Sequence, residues 1–427
     1  MLYRIVRPFA SLALKTNFRR IYFSNAQVVP KNKPIILAVN HPSAFLEPCL
    51  LACLLPQPLH YLVRGDMFVS TFARKALEAL HMIPIYRIRD GGFGKVRQNF
   101  STFESCFNIL SENKTIMILA EGTTIQEKRL RPIQKGPARI AFGALEKDDL
   151  IDLKIVPVGV NYTYADKFRS HVMFEFGQPI SIQDYKEVYK EHSNRAIQLL
   201  TKEIENRLKK HVIIINEKED EELTEKLFVL SRNNQGEPFF PIVSRHNTML
   251  CQEKKIATFI NNASEKEKKE LKEKVDAYLK ILNQNNLKDW AIAQNDTAEK
   301  PSSLMVLIGF LPFVLGYFGN YLPVFIAKLI ANKFVIYLEF MASVKIAVAI
   351  GVFIIYYIGL IIFSIAINNF MLLLMILMLP FFGYYSLMYN EYYERWKAFR
   401  EIDKIDLTFL QKLKANREDV LNFINEN

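Results

Sequence analysis

Apolar and polar positions change rhythm three times along the chain. Between residues 30 and 215, short apolar runs bounded by turn residues alternate with stretches whose apolar positions return every three or four residues. PIILAVN, LHYLVR, MIPIYR, KTIMILAE, LKIVPVGVNY and HVMFEFG read as strands, because β-branched and aromatic residues suit a pleated surface. Helical spacing lies between most of them, as in Arg97 to Ser111 and Pro137 to Lys147. Strands alternating with helices predict an α/β domain: a mixed, largely parallel sheet flanked by helices.

Residues 216–300 carry a different pattern. Charge-rich runs, EKEDEELTEK and SEKEKKELKEKVDAYLKIL, frame Leu271, Val275, Tyr278, Leu279 and Leu282 at helical spacing. This predicts a helical insert whose charges face water.

The third rhythm is unbroken. Ile346 to Ile367 holds no charge, and at about 1.5 Å per residue it is long enough for a bilayer core of about 30 Å. Asn368 and Asn369 separate it from a second apolar run, Phe370 to Met388, so a transmembrane helical hairpin with both ends on one side is expected. Lys328, Lys333 and Lys345 precede the hairpin; Arg395, Lys397 and Arg400 follow it. The positive-inside rule then places both ends, and the α/β domain, on the cytoplasmic face. An earlier run, Leu304 to Leu322, is interrupted by Gly309, Pro312, Gly316, Gly319 and Pro323, which predicts a re-entrant or interfacial element.

Charge adds an amino-terminal feature. The chain of 427 residues carries a net +11. Arg4, Arg7, Lys15, Arg19, Arg20, Lys31 and Lys33 all precede the first acidic residue, Glu47. With Leu2, Ile5, Phe9, Leu12 and Phe18 among them, residues 1–29 read as a basic amphipathic segment for an anionic membrane surface. The expected organisation is therefore 1–29 surface segment, 30–215 α/β domain, 216–300 insert, 301–400 membrane region and 401–427 cytoplasmic tail. Basic charge without a helix-turn-helix, zinc-finger or RNA-recognition signature argues against a nucleic-acid partner. Four Cys and seven His show no paired spacing for zinc and no disulfide framework, so no metal is expected and a reducing compartment is.

One short stretch, NHPSAFLEP, breaks a strand with chemistry. An apolar strand ending at Asn40 delivers His41 to a sheet edge, and Pro42 stops any regular continuation. An imidazole there can act as general base toward a hydroxyl if a carboxylate orients it. Glu47 is the nearest candidate. Six residues of continuous helix would rotate the two side chains to about 120° apart, so the backbone has to turn between them. Pro48 suits the first position of a helix, which makes residues 41–47 the turn.

Further blocks follow in order, and with them the sequence resembles the glycerolipid acyltransferases, the glycerol-3-phosphate and 1-acylglycerol-3-phosphate acyltransferases. The resemblance spans roughly residues 34–162. His41 and Glu47 match the family's histidine and acidic residue, and HMIPIYR with Arg87 matches its second block. LAEGTT with the downstream QKGPARIA matches the third, and IVPVGVNY the fourth. Glu stands where Asp is usual and lies six positions after the His; Ala120 replaces a proline, and Thr124 an arginine. The resemblance implies that His41 deprotonates an acceptor hydroxyl, Glu47 orients it, and the oxygen attacks an acyl thioester directly.

Arg87 and Lys135 are the expected phosphate cations. Glu121, Gly122, Thr123 and the Lys135–Gly136 pair complete the expected substrate site, since a Gly after a strand lets backbone amides approach a ligand. The donor is acyl-CoA or acyl-carrier protein, a substrate; no cofactor is expected. Membrane lipid is the other partner. Two rival readings are an acyltransferase for a non-phosphate lipid such as an aminolipid, and a catalytically silent lipid-binding membrane protein.

Overall fold

The computed structural model describes residues 2–86, 99–148, 150, 152–234 and 236–426. Arg87, Arg89 and the GGFGK run, residues 91–95, lie outside them. Two compact units share the chain: Met1–Ile213 with Ile242–Asn247 and Val335–Ile346, and Ile214–Pro241 with Thr248–Phe334 and Ala347–Asn427.

The described residues of the first unit form one sheet. Its strands are β1 (Phe18–Ser24), β2 (Ile35–Val39), β3 (Leu59–Arg64), β4 (Met82–Ile85), β5 (Thr115–Leu119), β6 (Lys154–Tyr162), β7 (Ser170–Phe176), β8 (Ile180–Ser181) and β9 (Val243–Ser244). They run in the order β4-β3-β5-β2-β6-β7-β1-β9, with β8 beside β6. Pairing is parallel except where β7 and β8 meet β6. The expected mixed sheet is present, and all six expected strands lie in it.

Helices α1 (Leu2–Asn17), α2 (Leu46–Leu54), α3 (Thr71–Ala79), α4 (Asn99–Ser111), α5 (Gly136–Asp148), α6 (Lys186–Glu191) and α7 (Ser193–Lys209) accompany the sheet. Ile36, Ala38, Ile116 and Ile155 pack in one core with Phe142 of α5 and Leu200 and Ile204 of α7. Every residue of β2 is fully buried, as expected of a central parallel strand covered on both faces.

Two expected boundaries move. The segment 1–29 is not wholly a surface element: residues 18–24 are β1, paired in parallel with β7, so the sheet begins before residue 30. Arg19 and Arg20 disguised this strand, yet Phe18 and Ile21 are fully buried. Within α1, Ile5, Phe9 and Leu12 are exposed while Tyr3 and Leu14 are buried, and Arg7 donates to the Cys53 and Leu55 carbonyls at the end of α2. The insert likewise lends β9 to the sheet, where it pairs with β1.

The second unit is helical: α8 (Glu221–Arg232), α9 (Thr248–Asn262), α10 (Glu265–Gln284), α11 (Asp289–Ala293), α12 (Ser303–Phe334), α13 (Leu338–Ala366), α14 (Phe370–Ile402) and α15 (Leu407–Glu426). The opening turns of α13, through Ile346, belong to the first unit. Leu271, Val275, Tyr278 and Leu282 form the buried stripe of α10, as their spacing predicts. Arg417 of α15 donates to Asp289 (Nε to Oδ1, 2.8 Å) and to the Leu230 carbonyl (2.6 Å), and the Tyr278 hydroxyl donates to the same Asp289 oxygen (2.7 Å). One buried ion pair therefore joins four helices.

Among the described residues three helices, α12, α13 and α14, are long and apolar enough to cross a membrane. The expected interruption of residues 304–322 is absent, because α12 runs unbroken through Pro312 and Pro323. Its glycines are a packing face. Gly309, Gly316, Asn320 and Pro323 are buried together, and a Cβ on Gly316 would collide with the Phe382 carbonyl of α14. Asn320 donates to Leu379 O (3.1 Å) and accepts from the Tyr357 hydroxyl (2.5 Å), the pairing an amide needs where water is scarce.

Gly159 of β6 tests the sheet. A Cβ there would collide with the His211 carbonyl, which is backbone and cannot step aside. Gly159→Ala should destabilise the protein by about 2 kcal/mol, a typical overpacking cost, read as a lowered unfolding midpoint in detergent.

Candidate active site

The site begins where β2 ends. Asn40 is buried, and its side chain extends the ladder to β6: Nδ2 donates to Val160 O (2.9 Å) and Oδ1 accepts from Val160 N–H (2.6 Å). An Asn at this position fixes the level at which the chain leaves the sheet. His41 follows immediately.

Beyond Pro42 the chain reverses through Phe45, whose φ of 64° is left-handed. That conformation costs a non-glycine residue about 1 kcal/mol or more and persists only where neighbours hold it. Helix α2 starts at Leu46, two residues earlier than Pro48 suggests. Pro48 still sits in the first turn, where no intrahelical N–H is required.

This reversal brings His41 and Glu47 together. His41 Nδ1 lies 3.3 Å from Glu47 Oε2. Their angles fall outside hydrogen-bond alignment, so both atoms are buried without a hydrogen-bond partner. Glu47 is fully buried. Its other oxygen accepts from Ser43 N–H at 2.7 Å, and the helix N-terminus favours a carboxylate in the first turn. Tyr162 borders the pair, its phenol pushed well above the ordinary range by burial and by the Glu47 carboxylate. Burial, with Cys53 and Glu47 nearby, also pushes the Cys49 thiol up to about 12. Cys49 is then no thiolate nucleophile at neutral pH.

A second arm arrives from β5. Ala120 N–H donates to Val39 O at 2.7 Å, a ladder bond that the proline usual in the resembled family would lack. Glu121 was expected at the substrate, but its side chain is 2% exposed and turns inward. It accepts from the backbone N–H of His41 (3.3 Å), from Arg131 N–H (3.3 Å) and from Arg131 Nη2 (2.5 Å). The Arg131 guanidinium in turn donates to His41 O (3.1 Å), Thr123 Oγ1 (3.0 Å) and Thr123 O (2.7 Å). Glu121 and Arg131 thus grip the N–H and the C=O of His41 from both sides.

Gly122 has a φ of 67°, which glycine adopts without strain. Gln134 N–H donates to Ala120 O at 2.8 Å, bringing the chain back beside this turn. Lys135 is next, exposed, and Gly136 opens α5. The described structure therefore gathers His41, Glu47, Glu121, Gly122 and Thr123, with Lys135 and Gly136 following directly on Gln134. Arg87 lies outside the described residues.

Arg131 is the residue that sequence reasoning missed. It sits in a run with Lys128, Arg129, Lys135 and Arg139, and nothing local distinguishes it from its neighbours.

A family model described as Acyltransferase matches residues 20–161. The matched stretch holds His41, Glu47, Glu121 and Arg131. The chain is similar to glycerol-3-phosphate O-acyltransferase 2 of Saccharomyces cerevisiae, 35% identical over 111 residues, covering 26% of this chain and 15% of that protein. It is also similar to glycerol-3-phosphate O-acyltransferase 1 of the same yeast, 39% identical over 80 residues, covering 19% and 10%. The chain thus spans a small fraction of the length of these relatives. Among solved structures, the 1-acyl-sn-glycerophosphate acyltransferase of Thermotoga maritima matches with a TM-score of 0.36 and 14% identity, over 49% of this chain and 78% of that one.

At this site, removing the guanidinium strands a buried carboxylate. Arg131→Ala should cost about 3 kcal/mol, as for other broken buried pairs, measured as a fall in unfolding free energy. Arg131→Lys should recover only part of it, since an ammonium cannot span the same acceptors.

Proposed function

We propose that this protein transfers a fatty acyl group from an acyl thioester to a hydroxyl of glycerol-3-phosphate or 1-acylglycerol-3-phosphate at a membrane. The observation that carries the reading is the His41–Glu47 pair, 3.3 Å apart at the end of β2. Nδ1 faces Glu47, which leaves Nε2 for the acceptor hydroxyl.

His41 Nε2 takes the hydroxyl proton as the oxygen attacks the thioester carbonyl. Glu47 stabilises the resulting imidazolium. The tetrahedral adduct collapses, breaking the carbon–sulfur bond, and the imidazolium returns its proton to the leaving thiolate. Proton and charge balance without a covalent acyl-enzyme, in line with the protonated Cys49 beside the pair. The logic is that of a serine-protease dyad in which the substrate supplies the hydroxyl.

Lys135, at the start of α5, is the best-placed described cation for the acceptor phosphate, because an exposed ammonium beside helix N–H groups favours an anion. Arg87 is its proposed partner. Glu121 and Thr123 act here through the protein, since Arg131 holds both.

The membrane helices give the reading its setting: the acylated product and a 1-acylglycerol-3-phosphate acceptor reside in the bilayer, while glycerol-3-phosphate, acyl-CoA and acyl-carrier protein are soluble. Residues on either side of the apolar region are packed together through Asp289 and Arg417. Flanks joined in this way lie on one face of a bilayer, so the crossings between them are even in number. Lys328, Lys333, Lys345, Arg395, Lys397 and Arg400 around the hairpin support a cytoplasmic catalytic domain.

Purified protein, given labelled acyl thioester and a panel of acceptors, should acylate glycerol-3-phosphate or its 1-acyl derivative. His41→Ala should lower the rate by about 10²–10⁴ and Glu47→Gln by roughly a hundredfold. Product only with aminolipids, or none with any phosphorylated acceptor, would overturn the assignment.

A further inference from the structure

The turn between His41 and Glu47 is held by a segment three hundred residues away. Val335–Ile346 belongs to the first compact unit although the rest of α13 does not. Ala44 N–H donates to Glu339 O at 3.1 Å, and the Ser343 hydroxyl donates to Ala44 O. The Ser43 hydroxyl reaches the same Glu339 carbonyl at 3.5 Å, and the Phe340 ring meets Phe45 edge to face, centroids 6.1 Å apart. Residues 339, 340 and 343 stand on one face of the opening turn of α13.

We infer that Ser343 is a positioning residue, which through Ala44 holds Glu47 against His41. The inference rests on reading His41 as the base. Its physical basis is that both peptide planes flanking Ala44 are fixed, one by Glu339 O and one by Ser343 Oγ. The preceding N–H, of Ser43, is the donor to Glu47 Oε1, and the following residue, Phe45, is the left-handed pivot. Ser43 and Ala44 are buried, so water cannot readily replace a lost partner. With the latch in place, the pivot and the Ser43 donor are held together. Without it, the carboxylate drifts from the imidazole, and small misplacements at reacting groups cost large factors in rate.

The test compares wild type, Ser343→Ala and Ser343→Thr in the full-length protein in nanodiscs. Ser343→Ala should lower kcat about tenfold with KM changed less than about twofold, and Ser343→Thr, which keeps the hydroxyl, should restore kcat. Amide exchange by mass spectrometry should quicken over residues 41–47 in Ser343→Ala and stay unchanged over β5, which reports the intact sheet. Unchanged kcat, a loss not rescued by Thr, or faster exchange in β5 as well would each overturn the inference. If wild type transfers nothing to any acceptor, the functional reading fails by itself. The exchange arm still decides the latch, because unaltered exchange over 41–47 overturns it without reference to activity.

Discussion

The structure around the site depends on one buried ion pair. Glu121 and Arg131 bracket the backbone of His41, carboxylate on its N–H and guanidinium on its C=O. Charges taken out of water are expensive unless paired and hydrogen-bonded, and here nearly every valence serves the turn: Thr123, His41 and Arg131's own N–H share the two groups. An imidazole at a sheet edge needs a fixed backbone before its side chain can be aimed. The pair supplies that fixity at the sheet edge, where regular ladder bonding has just ended.

Around this anchor, the sheet and the helix start divide the labour. Asn40 prolongs β2 by one side-chain rung on Val160, setting the height of His41. Phe45 then reverses the chain, and the first turn of α2 presents Glu47 with Ser43 N–H on one oxygen and His41 beside the other. The six-residue spacing with Glu in place of Asp is accommodated by this reversal rather than by a longer helix. Ala120 in place of proline adds a bond to Val39 where the usual residue could not donate. Both departures from the resembled pattern are therefore consistent with a packed site.

The helical unit follows a parallel rule. Asp289 and Arg417 gather four helices on a buried charge pair, while α12 and α14 approach closely because Gly316 leaves room for the Phe382 carbonyl. Glycines and prolines that look like interruptions in a linear reading become a contact face once a neighbour is present, since small residues are what let apolar helices pack in lipid.

Much of this was legible from the amino-acid order. Six strands, the α10 stripe and the long apolar helices follow from local patterns, because burial of a strand face or a helix stripe imposes its period on the chain. His41 and Glu47 were readable as candidates from the breaking proline, the nearby carboxylate and the resemblance together, while their approach to 3.3 Å is set by the reversal at Phe45. β1 was hidden by Arg19 and Arg20, which read as surface charge until pairing with β7 buries Phe18 and Ile21 between them. The continuity of α12, the inward turn of Glu121, the choice of Arg131 among five cations and the contact of Ser343 with Ala44 were decided by tertiary structure alone. Each depends on groups that only the folded chain brings together, and a hydrogen bond between distant residues leaves no period in the sequence.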